Sequence, residues 1–396
     1  MARNNVNKPT VMFLLHYSDL NNGAVRSMVD VIVPLVQTGK INAIVIYPDK
    51  KHSAIDYLES HGVPSYHVPY GRWCEQFQKN VFKNIKITLR QTILFLRGVF
   101  SLPRMRKIMS DNHVDVIYSN TITIYYGALL RKLTGVRHIW HVREFGKEDH
   151  DLKYLIPENT VHAIINKYTD LVIYISNSIR QKYEEYIHVP RECVIYNDIS
   201  AEFMNYHKIL THQLPIELCV IGSVQPGKGQ LEAIKAVQLV NRGSIHVRLH
   251  IAGNPNSDYA QLLKQYVSDN GLDQTVIFDG FIRDTNKYRS RMDIGLVTSE
   301  REAFGRVTVE GMLSGLLMIG ANSAGTAELI KDGGTGYLYH QGSELSLAQV
   351  ISKAINNGDQ SISIAKAGYT YAKVSFCMHE AAKNIYNDIL KLMNEG

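Results

Sequence analysis

The stretch IELCVIGSVQPGKGQLEAIKAV, residues 216–237, reads as a strand, a glycine-rich turn and a helix. Gly222, Gly227 and Gly229 allow the backbone to approach a ligand closely. The helix start offers free N–H groups and positive potential to a phosphate, and Lys228 adds a mobile cation. Gly222 to Lys228 fits the spacing of a P-loop. The following residue should then be Ser or Thr, to hold magnesium, but it is Gly229. The pattern therefore favours a metal-free diphosphate site over a nucleoside triphosphatase. The plain alternative is a tight turn with a solvated lysine.

Outward from this turn, apolar runs alternate with helix-length segments. VMFLLHYS (11–18), INAIVIYP (41–48), VDVIYSN (114–120), VRHIWHV (136–142), DLVIYIS (170–176) and CVIYN (193–197) form one series. IELCVIGS (216–223), IHVRLHIAG (245–253), TVIFDGF (275–281), DIGLVTS (293–299) and LLMIGAN (316–322) form a second. Near-continuous apolar strands separated by helices predict parallel sheets buried on both faces. Two such series predict two Rossmann-like, doubly wound domains, at 1–200 and 201–375, with a C-terminal helix at 376–396 packing back on the first. In such sheets ligands bind beyond the carboxyl ends of the strands.

One of these ends opens EAFGRVTVEGMLSGLLMIG, residues 302–320. Glu302 falls in the loop, Gly305 at a helix start and Glu310 about 7 Å further along the axis. A single anionic ligand resting on that start would have an acid on either side, suited to accept from hydroxyl groups of a sugar and a ribose. In ANSAGTAELI (321–330), Gly325 and Thr326 are expected to add backbone donors for a phosphate.

Composition narrows the class. The 396 residues, 45% hydrophobic and 20% charged, describe a globular protein of more than one domain. The polar N-terminus lacks the apolar core of a signal peptide, and no uncharged apolar run is long enough to span a membrane. Cys74, Cys193, Cys219 and Cys377 are scattered without metal-ligand spacing, as expected of reduced cysteines in a cytoplasmic protein. The net charge of +6 is carried by residues 1–200, which suggests an anionic surface or partner there.

With these motifs the chain resembles the retaining glycosyltransferases of family 4, the group 1 glycosyl transferases, which have the GT-B fold. Lys228-Gly229, the glutamate pair Glu302 and Glu310 with seven residues between, FDGFIRD (278–284) and DGGTGYLY (332–339) carry the resemblance. It implies two domains facing a central cleft, a nucleotide-sugar donor (UDP- or GDP-sugar) and a glycan or lipid-linked acceptor, with retained configuration and no metal or other cofactor. Nucleic acid is not an expected partner. The resemblance assigns ribose to Glu310, the transferred sugar to Glu302, and the diphosphate to Lys228 and the loop around Phe304 and Gly305. Gly222 belongs to the same turn, and Gly280 to Arg283 flank the base. Ser223 stands where the family usually has arginine, so Arg306, Arg283 or a residue of the other domain is expected to supply the second phosphate cation.

In the first half, YSDLNNGAVRS (17–27) is similar to the family's glycine-rich donor loop, with Gly23 in place and Arg26 nearby. His141, at the end of a strand in HIWHVREFG (138–146), matches the family's active-site histidine, and Arg143 and Glu144 would touch the acceptor. Asp149-His150-Asp151 spells the D-x-D of metal-dependent transferases but lies in a charged loop, and is read as solvated. The alternatives from other classes are a nucleotide-sugar epimerase, which would convert the donor sugar without an acceptor, and an inactive sugar-nucleotide-binding subunit.

Residues 79–107 hold eight Lys/Arg and no acid. Lys79, Lys83, Lys86, Arg90 and Arg97 fall on one helical face, beside a stripe of Phe82, Ile85, Leu89, Ile93, Leu96 and Phe100. A basic amphipathic helix is an interfacial membrane signal. Its alternative is a core-packed helix with a solvated basic face. The family resemblance points to peripheral attachment at the inner face of the cell membrane, in synthesis of a bacterial surface polysaccharide.

Overall fold

The structure, a computed structural model, describes residues 8–76, 81–150, 152–204 and 214–394. The chain divides into two compact units, Met1–Asp198 with His379–Gly396, and Ile199–Met378.

Among its described residues the first unit carries nine strands: β1 Thr10–Leu14, β2 Asn42–Tyr47, β3 Ser65–His67, β4 Cys74–Gln76, β5 Val116–Asn120, β6 Arg137–Val142, β7 Leu152–Tyr154, β8 Leu171–Tyr174 and β9 Glu192–Val194. Seven of them form a parallel sheet in the order β3-β2-β1-β5-β6-β8-β9, while β4 and β7 form a small antiparallel pair. Every residue of β1, β5 and β8 is buried, because helices cover both faces. The order reverses between β1 and β5. Asn120 and His141 are paired in register at the carboxyl ends of β5 and β6. The last helix, Glu380–Met393, adds Ala381, Ala382, Ile385, Ile389 and Leu392 to the apolar cluster that holds Val11 and Phe13. Its first turn is capped by Asp198, whose carboxylate accepts the N–H groups of Ala381 (3.2 Å) and Ala382 (3.0 Å).

Among its described residues the second unit has six parallel strands: β10 Ile216–Ile221, β11 Val247–Ala252, β12 Val276–Gly280, β13 Ile294–Val297, β14 Leu317–Ala321 and β15 Tyr337–Tyr339. Their order is β12-β11-β10-β13-β14-β15, with the reversal between β10 and β13. The short strands β3, β4, β7 and β15, three residues each, give no apolar run long enough to show in the sequence.

Helix Val81–Phe100 differs from the core-packed alternative. Its inward side is Gln91, Leu94 and Gly98: a Cβ at Gly71 would lie 2.8 Å from Leu94 Cβ, and one at Gly98 would lie 2.0 Å from the Tyr126 hydroxyl. The apolar stripe faces outward, with Phe82 at 79%, Leu89 at 61% and Phe100 at 81% exposure. Lys79 and the side chain of Lys83 lie outside the described residues.

The turn after β10 requires glycine at one position. Gly229 has φ +68°, and a Cβ there would fall 2.0 Å from the carbonyl oxygen of Thr298, just after β13. A methyl group would push apart the two strand ends at the reversal point. We expect Gly229→Ala to cost about 1–3 kcal/mol, measured as a lowered denaturation midpoint. Wild-type stability in that variant would show that the two loops are not in contact.

Candidate functional site

In the second unit, the loop after β13 is stitched to the turn after β10. Thr298 Oγ1 donates to the carbonyl of Lys228 (2.9 Å), and the Glu300 N–H donates to the carbonyl of Gly227 (2.9 Å). Lys228 Nζ donates to Glu302 Oε1 at 2.5 Å, and Ser299 Oγ donates to the same oxygen at 2.6 Å. The other side of the loop is held from beyond β14. The Gly325 N–H donates to the carbonyl of Glu302 (2.9 Å) and Ser323 Oγ to that of Glu300 (2.7 Å).

Two expectations change here. Gly325 does not offer its N–H to a phosphate, since Glu302 takes it; a Cβ would lie 2.7 Å from the carbonyl of Phe304, so glycine there serves close packing of two loops. Phe304 is 3% exposed, and its ring meets Phe376 edge to face at 5.8 Å, so the side chain anchors the loop in the core. Thr326 is wholly buried, against Gly320.

Gly305, at φ +94°, precedes helix Arg306–Leu313, whose start carries no side-chain cap. Glu310 lies inside that helix, and its Oε2 accepts from Arg289 Nη2 at 2.5 Å. Arg306 Nε, one turn earlier in the helix, lies 3.4 Å from the other oxygen. The Arg289 side chain is 1% exposed, and Thr285 Oγ1 accepts from its Nη1 (3.2 Å). A buried carboxylate needs such a partner. Sequence reasoning missed Arg289: a lone arginine before an apolar strand gives no sign of an acid 21 positions further on. Ser223 and Arg283 are exposed, and the Ser223 carbonyl accepts from Gln230.

The first unit gathers a second set. His141 is 1% exposed, and its Nδ1 meets the Tyr118 hydroxyl at 2.7 Å and Arg143 Nη2 at 3.1 Å. Arg143 also donates from Nε to Asn120 (2.5 Å) and from Nη1 to Asn197 (2.6 Å). Glu144 Oε2 accepts the N–H groups of Ile122 (3.3 Å) and Arg143 (3.2 Å). Arg143 and Glu144, expected at the acceptor, are both buried, and these hydrogen bonds brace the strand ends. Gly23 begins helix Gly23–Gln37, where the Asn22 side chain accepts from the N–H groups of Ala24 and Val25; Arg26 is half-buried nearby. Asp149 is half-buried rather than solvated, and its carboxylate accepts the Phe145 N–H (2.8 Å). Asp151 and the His150 side chain lie outside the described residues.

Two sheets of this kind, each doubly wound and each presenting braced loops at its carboxyl ends, define the GT-B class of glycosyltransferase folds. Residues 205–371 match the family model of the glycosyl transferases group 1. The solved structure of Anabaena HepE in complex with UDP and glucose superposes with a TM-score of 0.75, at 21% identity, over 96% of this chain and 98% of that one. The capsular polysaccharide biosynthesis glycosyltransferase CapM of Staphylococcus aureus is 24% identical over 196 residues, 47% of this chain and 49% of its own length. The lipopolysaccharide 1,2-N-acetylglucosaminetransferase of Salmonella typhimurium is 21% identical over 305 residues, 71% of this chain and 75% of its own.

Burial sets opposing proton affinities in the first unit. It pushes His138 down to about 4 and Glu144 up to about 8, the latter helped by the charge of Asp149. Between about pH 6.5 and about pH 4, the unfolded chain takes up a proton that native His138 refuses, so stability falls as pH falls. Between about pH 4.5 and about pH 8, native Glu144 keeps a proton that the unfolded chain has lost, so stability falls as pH rises. Glu144→Gln keeps an acceptor oxygen and removes the second effect. Relative to wild type, the variant should gain up to about 1.4 kcal/mol per pH unit across that range, read from denaturant unfolding at several pH values. Parallel stability curves would show that Glu144 is ionised in the native state.

Proposed function

We propose that the protein transfers a sugar, with retained configuration, from a UDP-sugar to a glycan or lipid-linked acceptor in synthesis of a bacterial surface polysaccharide. The observation that carries this reading is the cluster at the β10/β13 reversal: Lys228, Ser299 and Glu302 hydrogen-bonded together beside the uncapped start of helix Arg306–Leu313, with Glu310 held by Arg289. The UDP of the Anabaena structure supports uridine over guanosine, and the capsular and lipopolysaccharide relatives support the polysaccharide role.

Catalysis on this reading is electrostatic. Breaking the bond between sugar and diphosphate moves negative charge onto the leaving group and positive charge onto the sugar. Lys228 and the N–H groups after Gly305 stabilise the first, without a metal ion. Glu302 faces the second. Glu310 holds ribose, which does not change during the reaction.

The two acids therefore have separable tasks. In buffer containing EDTA, Glu310→Gln should raise KM and the Kd for UDP together, by about tenfold for one charge-assisted hydrogen bond. Glu302→Gln should lower kcat by about a hundredfold and leave the Kd for UDP nearly unchanged. Steady-state kinetics and calorimetric titration, with a melt to confirm folding, measure both. Equal loss of UDP affinity in two folded variants would place the donor elsewhere. Loss of all activity in EDTA would show a metal requirement. Conversion of donor sugar without acceptor would identify an epimerase instead.

The acceptor side is proposed to lie at an anionic membrane. Among the described residues no helix is long and apolar enough to cross one. Helix Val81–Phe100 instead exposes an apolar stripe beside Lys86, Arg90 and Arg97, the arrangement that lies within a lipid interface. Changing these three residues to glutamine should weaken binding to phosphatidylserine vesicles by about 1 kcal/mol per charge, measured by co-sedimentation. Unchanged sedimentation would remove the helix from any membrane role.

A further inference from the structure

His141 presents a problem of proton placement that its surroundings solve. The ring is buried, and Nδ1 faces two groups, the Tyr118 hydroxyl at 2.7 Å and Arg143 Nη2 at 3.1 Å. A hydroxyl can donate or accept. A guanidinium only donates, so Nδ1 must offer a lone pair. Tyr118 cannot supply the reverse arrangement, because an N–H on Nδ1 would then point at an N–H of Arg143.

Arg143 itself has no freedom to turn away. Asn120 Oδ1 takes its Nε and Asn197 Oδ1 takes its Nη1, at 2.5 and 2.6 Å. Asn120 is held in turn, donating from its side chain to the carbonyl of Ala24 (3.0 Å). The nearby carboxyl of Glu144 is directed at the N–H groups of Ile122 and Arg143. Among the described residues, the titratable or charged groups that meet the imidazole are Tyr118 and Arg143, and neither favours a second proton. Burial and the charge of Arg143 both lower the proton affinity of the ring. The remaining ring nitrogen, Nε2, is buried and has no hydrogen-bond partner among the described residues.

We infer that Arg143 and Tyr118 are positioning residues that hold His141 as the neutral tautomer with its single proton on Nε2, so that His141 acts on its ligand as a fixed hydrogen-bond donor and cannot act as a general base. A buried N–H without a partner calls for an acceptor oxygen. On the function proposed above, that oxygen belongs to a hydroxyl group of the sugar or glycan bound at this strand end. The acceptor hydroxyl of the transfer reaction must then pass its proton to some group other than His141, since Nε2 has no lone pair to receive it.

The test reads the tautomer directly. The full chain is labelled with 15N-histidine, with His141→Gln used for assignment, and followed by NMR between about pH 5.5 and about pH 8. The expected signals are a pyridine-type Nδ1 and a pyrrole-type Nε2, both unchanged across the range. Tyr118→Phe should keep that pattern, because Arg143 alone imposes it. Arg143→Met should give mixed tautomers or a titrating ring, and an acid limb in kcat/KM that wild type lacks. A wild-type ring that titrates in this window, or carries its proton on Nδ1, overturns the inference. An unchanged tautomer in folded Arg143→Met overturns the role of Arg143. The NMR readout does not depend on turnover, so failure of the proposed transferase activity, shown by absent UDP binding, remains a separate result.

Discussion

A parallel sheet covered by helices on both faces can offer a ligand only its strand ends, and this constraint organises each unit of the protein. The strands spend their side chains on the core. Chemistry is left to the loops beyond their carboxyl ends, and at the reversal of strand order two such loops diverge to leave room between them. In the second unit the reversal falls between β10 and β13. Lys228 leaves one of those strands and Glu302 the other, and their ion pair closes the gap. The glycines nearby are needed because loops from different strands pass within van der Waals contact: Gly229 under Thr298, and Gly325 under Phe304.

Several polar groups at these ends are buried, which favours a partner for each of them. Glu310 has Arg289 and Arg306; Arg143 has Asn120, Asn197 and His141; Glu144 has two backbone N–H groups. The result is rigidity where a donor molecule is proposed to lie. A carboxylate held by a wholly buried guanidinium keeps its direction, which is the preorganisation that electrostatic catalysis uses.

Helix Val81–Phe100 follows the opposite logic. Its inward side is Leu94 with small or polar residues, Gly98 against Tyr126 and Gln91 against Glu75, while the stripe from Phe82 to Phe100 faces outward. Sequence periodicity located the stripe, but a helical repeat has no way to say which side the rest of the chain will cover. Only the packing of Gly71 and Gly98 reveals that the stripe is left over.

By itself the sequence determined the two doubly wound domains, the strand ends worth searching and the glutamate pair, because these are local: apolar runs, glycine turns and helix starts are written in consecutive residues. It also carried the family resemblance through Lys228, Glu302 and Glu310. Tertiary structure alone decided the partnerships. Arg289 meets Glu310 across 21 residues, Arg143 meets Asn197 across 54, and Lys228 meets Glu302 across 74. It also turned Phe304 into the core and gave the Gly325 N–H to Glu302. Burial and hydrogen bonding depend on which distant segments pack side by side, and that proximity is set by strand order, which no local pattern of residues encodes.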